Sequence, residues 1–159
     1  MTWYPLLQKF GLKEHLFGYF LSGTFVLSIF IPYSIKFLSK KAGGHLNYLI
    51  AVVLSMLLLL IITFFINNLI FALIICLLFF TMWDFYNPII KVVFQKFLPS
   101  KTRATITSLQ AMISSMGIMI SFPIAGFLAD KIGVQNTLTI GGILLIPIIF
   151  LFLNIKNKT

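Results

Sequence analysis

Acidic residues are nearly missing from this chain: Asp and Glu together number three among 159 residues, beside two His. General acid–base catalysis needs positioned groups that exchange protons, and there is almost no material for it here, so no enzyme is expected. Cysteine is reduced to Cys76. One thiol makes no internal disulfide, and Cys76 reads as a small apolar side chain within a helix. His15 and His45 lie far apart and make no metal-ligand spacing, so neither a metal nor a cofactor is expected. The patterns H-E-x-x-H, G-x-S-x-G and G-x-x-x-x-G-K-S/T are all absent. Charge of any sign is scarce, at 9% of residues against about 25% in soluble domains. That shortage leaves too little polar surface for a water-soluble globule.

What fills the chain is apolar bulk: 60% of it is hydrophobic and 18 residues are Phe. A membrane-crossing helix takes about 20 mostly apolar residues. Five stretches qualify, at residues 16–38, 46–66, 69–90, 104–129 and 134–155. The second, fourth and fifth contain no charged residue, the first has Lys36 near its end, and the third contains Asp84. The run from Leu57 to Ile62 does not alternate as a membrane strand does, and only a helix satisfies the backbone within one segment. The expected fold is therefore an all-α transmembrane bundle of five spans in one domain, joined by short turns. Residues 16–38 are longer than the apolar region of a signal peptide and read as a retained span.

The net charge of +9 would suggest nucleic acid in a water-soluble chain. Here the basic residues form short clusters between apolar runs, which is a topology signal, and no nucleic-acid partner is expected. Nine of them fall on one side: Lys36, Lys40, Lys41, Lys91, Lys96, Lys101, Arg103, Lys156 and Lys158. Lys9, Lys13 and Lys131 fall on the other. The basic side should be cytoplasmic, which puts the amino terminus outside and the carboxyl terminus inside. An odd number of spans with an outside start is an awkward design for a complete small protein. Usage rich in Lys, Ile, Asn and Phe is compatible with an AT-rich bacterial genome, and a bacterial plasma membrane is the expected location.

Asp84 is the one acid within a span, and a charge at mid-membrane costs about 2.5–3.5 kcal/mol on insertion scales. Asp84, Asn87, Lys91 and Gln95 share one helical face by their spacing. One reading makes this stripe the wall of a water-filled path, with Asp84 taking a proton or meeting a cationic solute. The other puts Asp84 near the cytoplasmic boundary, roughly 22 Å along the helix from Leu69, with Lys91 an interfacial lysine whose stem snorkels. The fourth span carries Gln110, Ser114, Gly117 and Ser121 at similar spacing. Small and hydroxyl residues at such intervals mark helix packing more often than ligand contact. Pro32, Pro88, Pro123 and Pro147 fall inside spans, where each removes a backbone donor and can bend the helix. Gly18-x-x-x-Ser22 and Gly141-Gly142 permit close helix approach. Trp3 and Tyr4 suit the interfacial belt.

The last third carries Arg103-Ala104-Thr105, Ser108, Ser114-Ser115-Met116-Gly117, Pro123-Ile124-Ala125-Gly126 and Phe127-Leu128-Ala129-Asp130-Lys131-Ile132-Gly133. This run resembles the penultimate helix of major facilitator superfamily transporters and the turn after it. Gly126-x-x-x-Asp130-Lys131-x-Gly133 is similar to the family's loop signature. Trp3, Pro5 and Gly11 look like the end of the seventh helix and its outer loop, which aligns the five spans with helices eight to twelve of twelve. The resemblance implies most of the carboxyl-terminal half of a transporter that moves a small solute by alternating access, as secondary transport or efflux. It gives Arg103 a role in inter-helix docking beside its plain role in topology. Asp130 and Lys131 lie at the outer end, where they are placed to pair or cap, and exposed pairs contribute little. The loop Lys40-Lys41-Ala42-Gly43 departs from the family pattern because it has no acid. The family's path lies between two halves, so the resemblance implies a missing amino-terminal half or another copy as partner, besides the lipid bilayer, the solute and a coupling proton. The chain is then expected to be an incomplete, truncated transporter. The alternative is an autonomous multi-pass protein, acting as a homo-oligomeric half-transporter or as a partner of another membrane protein.

The charge asymmetry is checked by cysteine labelling in a Cys76→Ala background. A thiol introduced as Lys40→Cys is expected to react with a membrane-impermeant maleimide only from the cytoplasmic side, and Lys13→Cys only from the outside.

Overall fold

The computed structural model describes residues 2–156, and among them every regular element is helical. In chain order the helices are α1 (Trp3–Lys9), α2 (Glu14–Ser28), α3 (Ile31–Lys41), α4 (His45–Ile62), α5 (Leu69–Lys96), α6 (Arg103–Ile132), α7 (Val134–Ile143) and α8 (Ile146–Lys156), with a 3₁₀ turn at Thr63–Phe65. Four stretches are long and apolar enough to cross a membrane: His45–Phe65, Leu69–Lys96, Arg103–Ile132 and Val134–Lys156. A fifth is obtained if α2 and α3, bent by 56° at their junction, count as one span. Lys158 lies outside the described residues.

The first expected span is thus broken rather than continuous. Helix α2 ends at Ser28 and α3 begins at Ile31. Pro32 opens α3; without an N–H it cannot donate to the carbonyl of Ser28 four residues earlier. Pro147 sits in the same way at the start of α8, after the interruption that separates it from α7. Pro88 and Pro123 instead lie within continuous helices. Neighbouring helices and side chains can re-satisfy carbonyls freed by proline in membrane bundles. Helix α5 runs six residues past the expected end at residue 90. Its start is held by Asn68, whose side chain accepts from Ile70 N–H at 3.1 Å, an N-cap of the usual kind.

Helix α4 is the centre of the bundle, packed against α5, α7, α8 and α3. One apolar cluster lies at each of its ends. The first gathers Leu6, Leu7, Leu60, Ile66, Ile75, Cys76 and Leu138. The second gathers Ile31, Ile35, Leu49, Val53, Met56, Ile89 and Phe152. Cys76 is fully buried, as expected of a small apolar side chain. Trp3 does not join an interfacial belt. It is only 7% exposed and its ring packs on Phe79 at 5.0 Å between centroids, because α1 folds back onto α5.

Glycine has a definite job where α7 crosses α4. A Cβ on Gly142 would come within 2.9 Å of the Leu60 Cβ and 3.5 Å of the Leu57 carbonyl oxygen, whereas one on Gly141 would meet nothing. The close approach expected of the Gly141-Gly142 pair is therefore made by Gly142. By contrast, a Cβ on Gly18 would meet nothing, and Ser22 bonds only its own helix at the Gly18 carbonyl.

Helix α6 stands apart. None of its residues is buried, and of the other helices it packs chiefly on α7. Met119, for example, is 70% exposed.

The α4–α7 contact has a simple test. Gly142→Ala is expected to destabilise the bundle by about 1–3 kcal/mol, the usual cost of overpacking, and Gly141→Ala to change it little. Thermal unfolding of both variants in detergent would show a lowered midpoint for the first alone.

Candidate functional site

The polar stripe on α5 meets two different neighbours. At Asp84 the neighbour is α2. The Ser28 hydroxyl, on the last residue of that helix, donates to the Asp84 carboxylate. The same hydroxyl also lies 3.0 Å from the carbonyl oxygen of Thr24, one turn earlier. Thr24 is buried, and its own hydroxyl donates to the Leu21 carbonyl at 2.7 Å. Asp84 therefore has a neutral hydrogen-bond partner rather than a cation, and it is only partly buried. Asn87 turns back on its own helix, donating to the Trp83 carbonyl at 3.1 Å.

At Lys91 the neighbour is α6. Lys91 and Gln95 line a cavity of about 400 Å³ with Thr107, Gln110 and Ser114 from α6, the rest of the wall being Phe94 and Ala111. Three of the five expected path residues, Lys91, Gln110 and Ser114, thus share one space, while Asp84 and Asn87 do not line it. Five polar side chains around one cavity stand out in a chain so poor in them. The cavity can hold water and a small polar solute, with Lys91 supplying a positive charge and the amides and hydroxyls supplying donors and acceptors.

Higher on α6, Ser121 and Gly126 line a second cavity of about 440 Å³ with Asp130, Thr2 and Pro5. Lys131 does not turn towards Asp130. Its ammonium lies 5.5 Å from the centroid of the Phe127 ring, a cation–π distance. Gly133 ends α6 and begins α7 at φ +88°, a conformation that L side chains rarely adopt. The motif's last glycine is thus a backbone requirement of the turn. Gly126 has open space beside it. Arg103 is exposed at the first position of α6, and its carbonyl accepts from Thr107 at 2.8 Å. Among the described residues no group of three His, Cys, Asp or Glu side chains could hold a metal ion.

Two residues that matter to this geometry escaped the sequence reading. Ser28 is one; its signal was its place four residues before Pro32, matching the place of Asp84 before Pro88. Gln135 is the other. Its amide nitrogen donates to the carbonyls of Ile66 at 2.7 Å and Thr63 at 3.2 Å, and its oxygen accepts from Lys9 Nζ at 2.7 Å. It ties α1, the end of α4 and α7 at one place, and no motif announces it.

The sequence profile described as Major Facilitator Superfamily matches residues 1–159 of the chain. No curated protein and no solved structure matches it.

If the α5–α6 cavity holds water, Gln110→Cys and Ser114→Cys should react with a water-soluble maleimide in intact membranes, and Met112→Cys on the other side of α6 at least tenfold more slowly. Equal rates at all three positions would mean that the cavity is no wetter than the lipid-facing surface.

Proposed function

The chain belongs to the major facilitator superfamily, and from that premise we propose that it forms one wall of a transport path for a small solute, opened to the two sides of the membrane in turn. It is an all-α, multi-pass membrane protein. The observation that carries the reading is the polar cavity between α5 and α6. An apolar chain keeps Lys91, Gln95, Thr107, Gln110 and Ser114 around one space, and polar groups at membrane depth are costly unless they face protein or water.

On this reading the five spans correspond to helices eight to twelve of a twelve-helix transporter, in the cell membrane and with the basic loops in the cytoplasm. Lys91 is the charged group of the cavity, and Asp84, against Ser28 of α2, is the acid that takes a proton accompanying the solute. The chain works by moving solute, without covalent chemistry. Helix α6 has no buried residue, and Gln110 and Ser114 of the cavity wall are themselves exposed. A half-path needs cover on that side, and we assign the cover to a second set of helices of the same family. The exposure of α6 also favours a second reading, in which the cover is another copy of this chain.

Reconstituted alone in proteoliposomes with an imposed pH gradient, the chain is expected to move neither protons nor ethidium faster than protein-free vesicles. A companion measurement separates the two readings. Saturable flux through Ile118→Cys chains joined by a disulfide, and none through the reduced chains, would establish the self-assembled form. Saturable flux through uncrosslinked monomers would refute the need for cover.

A further inference from the structure

We propose that Ser28 and Asp84 form a proton-operated latch on the break between α2 and α3. The inference rests on the reading of the chain as a moving transporter, and it holds whatever the solute.

The argument begins with one hydroxyl proton. Ser28 Oγ has two acceptors in reach, the Thr24 carbonyl at 3.0 Å and the Asp84 carboxylate, and it can donate to only one at a time. When Asp84 is ionised, the carboxylate is the stronger acceptor, since a charge-assisted hydrogen bond is roughly twice as strong as a neutral one. The Ser28 proton then points to α5, and the end of α2 is tied to the Asp84 charge. When Asp84 takes up a proton, the carboxyl group becomes a donor. Its O–H turns to Ser28 Oγ, and the Ser28 proton swings to the Thr24 carbonyl inside α2. Each state satisfies every proton and keeps a link from α2 to α5, but the link is charge-assisted in one and neutral in the other, and only the second adds a bond back into the last turn of α2. Back-bonding of that kind from a serine bends helices.

The backbone at the same place is built to move. Ser28 is the final residue of α2, and the chain turns by 56° before α3. Pro32 cannot donate to the Ser28 carbonyl, and Pro88 cannot donate to the Asp84 carbonyl. Both partners of the latch therefore stand one turn ahead of a proline in their own helices. Helix ladders that lack a donor at these two points resist bending less there than elsewhere.

Among the described residues no cation pairs with Asp84. On α2, Glu14 and His15 lie about 20 Å from Ser28 along the axis, with Tyr19 between; on α5, Lys91 lies about 10 Å from Asp84 and turns to the α6 cavity. Tyr86, also on α5, stacks near Trp83 with ring centroids 6.1 Å apart. Helix α3 carries Tyr33, Lys36, Lys40 and Lys41 beyond the break. Helix α4 offers His45 and Tyr48, and Tyr48 lines a separate cavity with Met82 and Phe85. Helix α1 offers Tyr4 and Lys9, the latter bonded to Gln135.

The test places spin labels at Tyr19→Cys and Phe37→Cys, both well exposed and on opposite sides of the break, in Cys76→Ala chains reconstituted in nanodiscs. The interlabel distance distribution is recorded in acid and in alkaline buffer. The latch requires the ratio of the two distance populations to change by about tenfold, the worth of one charge-assisted hydrogen bond at the low end of its range. Asp84→Asn should hold the acid distribution in both buffers. Ser28→Ala should reduce the change to about twofold or less, and Ser28→Thr, which keeps the hydroxyl, should restore it. A Ser28→Ala chain that responds like the unsubstituted one overturns the latch, as does an unsubstituted chain with no response. Because distances are read without any solute flux, a missing response overturns the latch alone and leaves the transport reading standing.

Discussion

Lipid offers no hydrogen-bond partners, and that constraint organises this molecule. Every backbone N–H and C=O at membrane depth has to be satisfied inside its own segment or by a protein neighbour. Helix follows for each apolar stretch, and so do the places where helix fails. At Pro32 the chain breaks and changes direction, before Pro147 the helix is interrupted, and at Pro88 and Pro123 it carries on. A break is tolerable where side chains or neighbouring helices supply what the ladder lost. Close to the break after Ser28 stand two acceptors for the Ser28 hydroxyl, the Thr24 carbonyl and the Asp84 carboxylate.

The same constraint explains how the chain spends its few polar groups. Gln135 satisfies two carbonyls where α4 ends in its 3₁₀ turn, and at the same time receives Lys9. Buried Thr63 returns its hydroxyl to the Leu60 carbonyl. These groups close the backbone of the bundle. The cluster around Lys91 and Gln110 does not; it surrounds a cavity. Polar groups that close the backbone and polar groups that surround a cavity are thereby distinguishable by what they touch. Helix α4, with its apolar clusters at both ends, is the most enclosed element, and α6 is the one with no buried residue.

Much of this was legible beforehand. Runs of about 20 apolar residues named the helices, and the second to fifth stretches appear in the structure with modest changes at their ends. The turn glycine at Gly133 and the close approach at Gly142 follow from residues that lack a Cβ. The stripe from Asp84 to Gln95 was also visible, because helical spacing alone puts those residues on one face. What it faces was not visible. Spacing cannot say that α2 covers Asp84 while the cavity beside α6 opens at Lys91, nor that Trp3 turns inward onto Phe79. Those facts depend on how helices distant in the chain lie against one another.

Sequence by itself thus determined the solvent, the class of fold and the family pattern, since hydropathy and local motifs are properties of contiguous residues. Tertiary structure alone decided which neighbour each polar residue meets. It divided one helical stripe between a serine on α2 and a cavity beside α6, and it made Gln135 a junction. It also left α6 without cover from the other helices. The physical reason is that apolar side chains specify burial without specifying a partner, whereas a hydrogen bond exists only once two segments are brought to within about 3 Å.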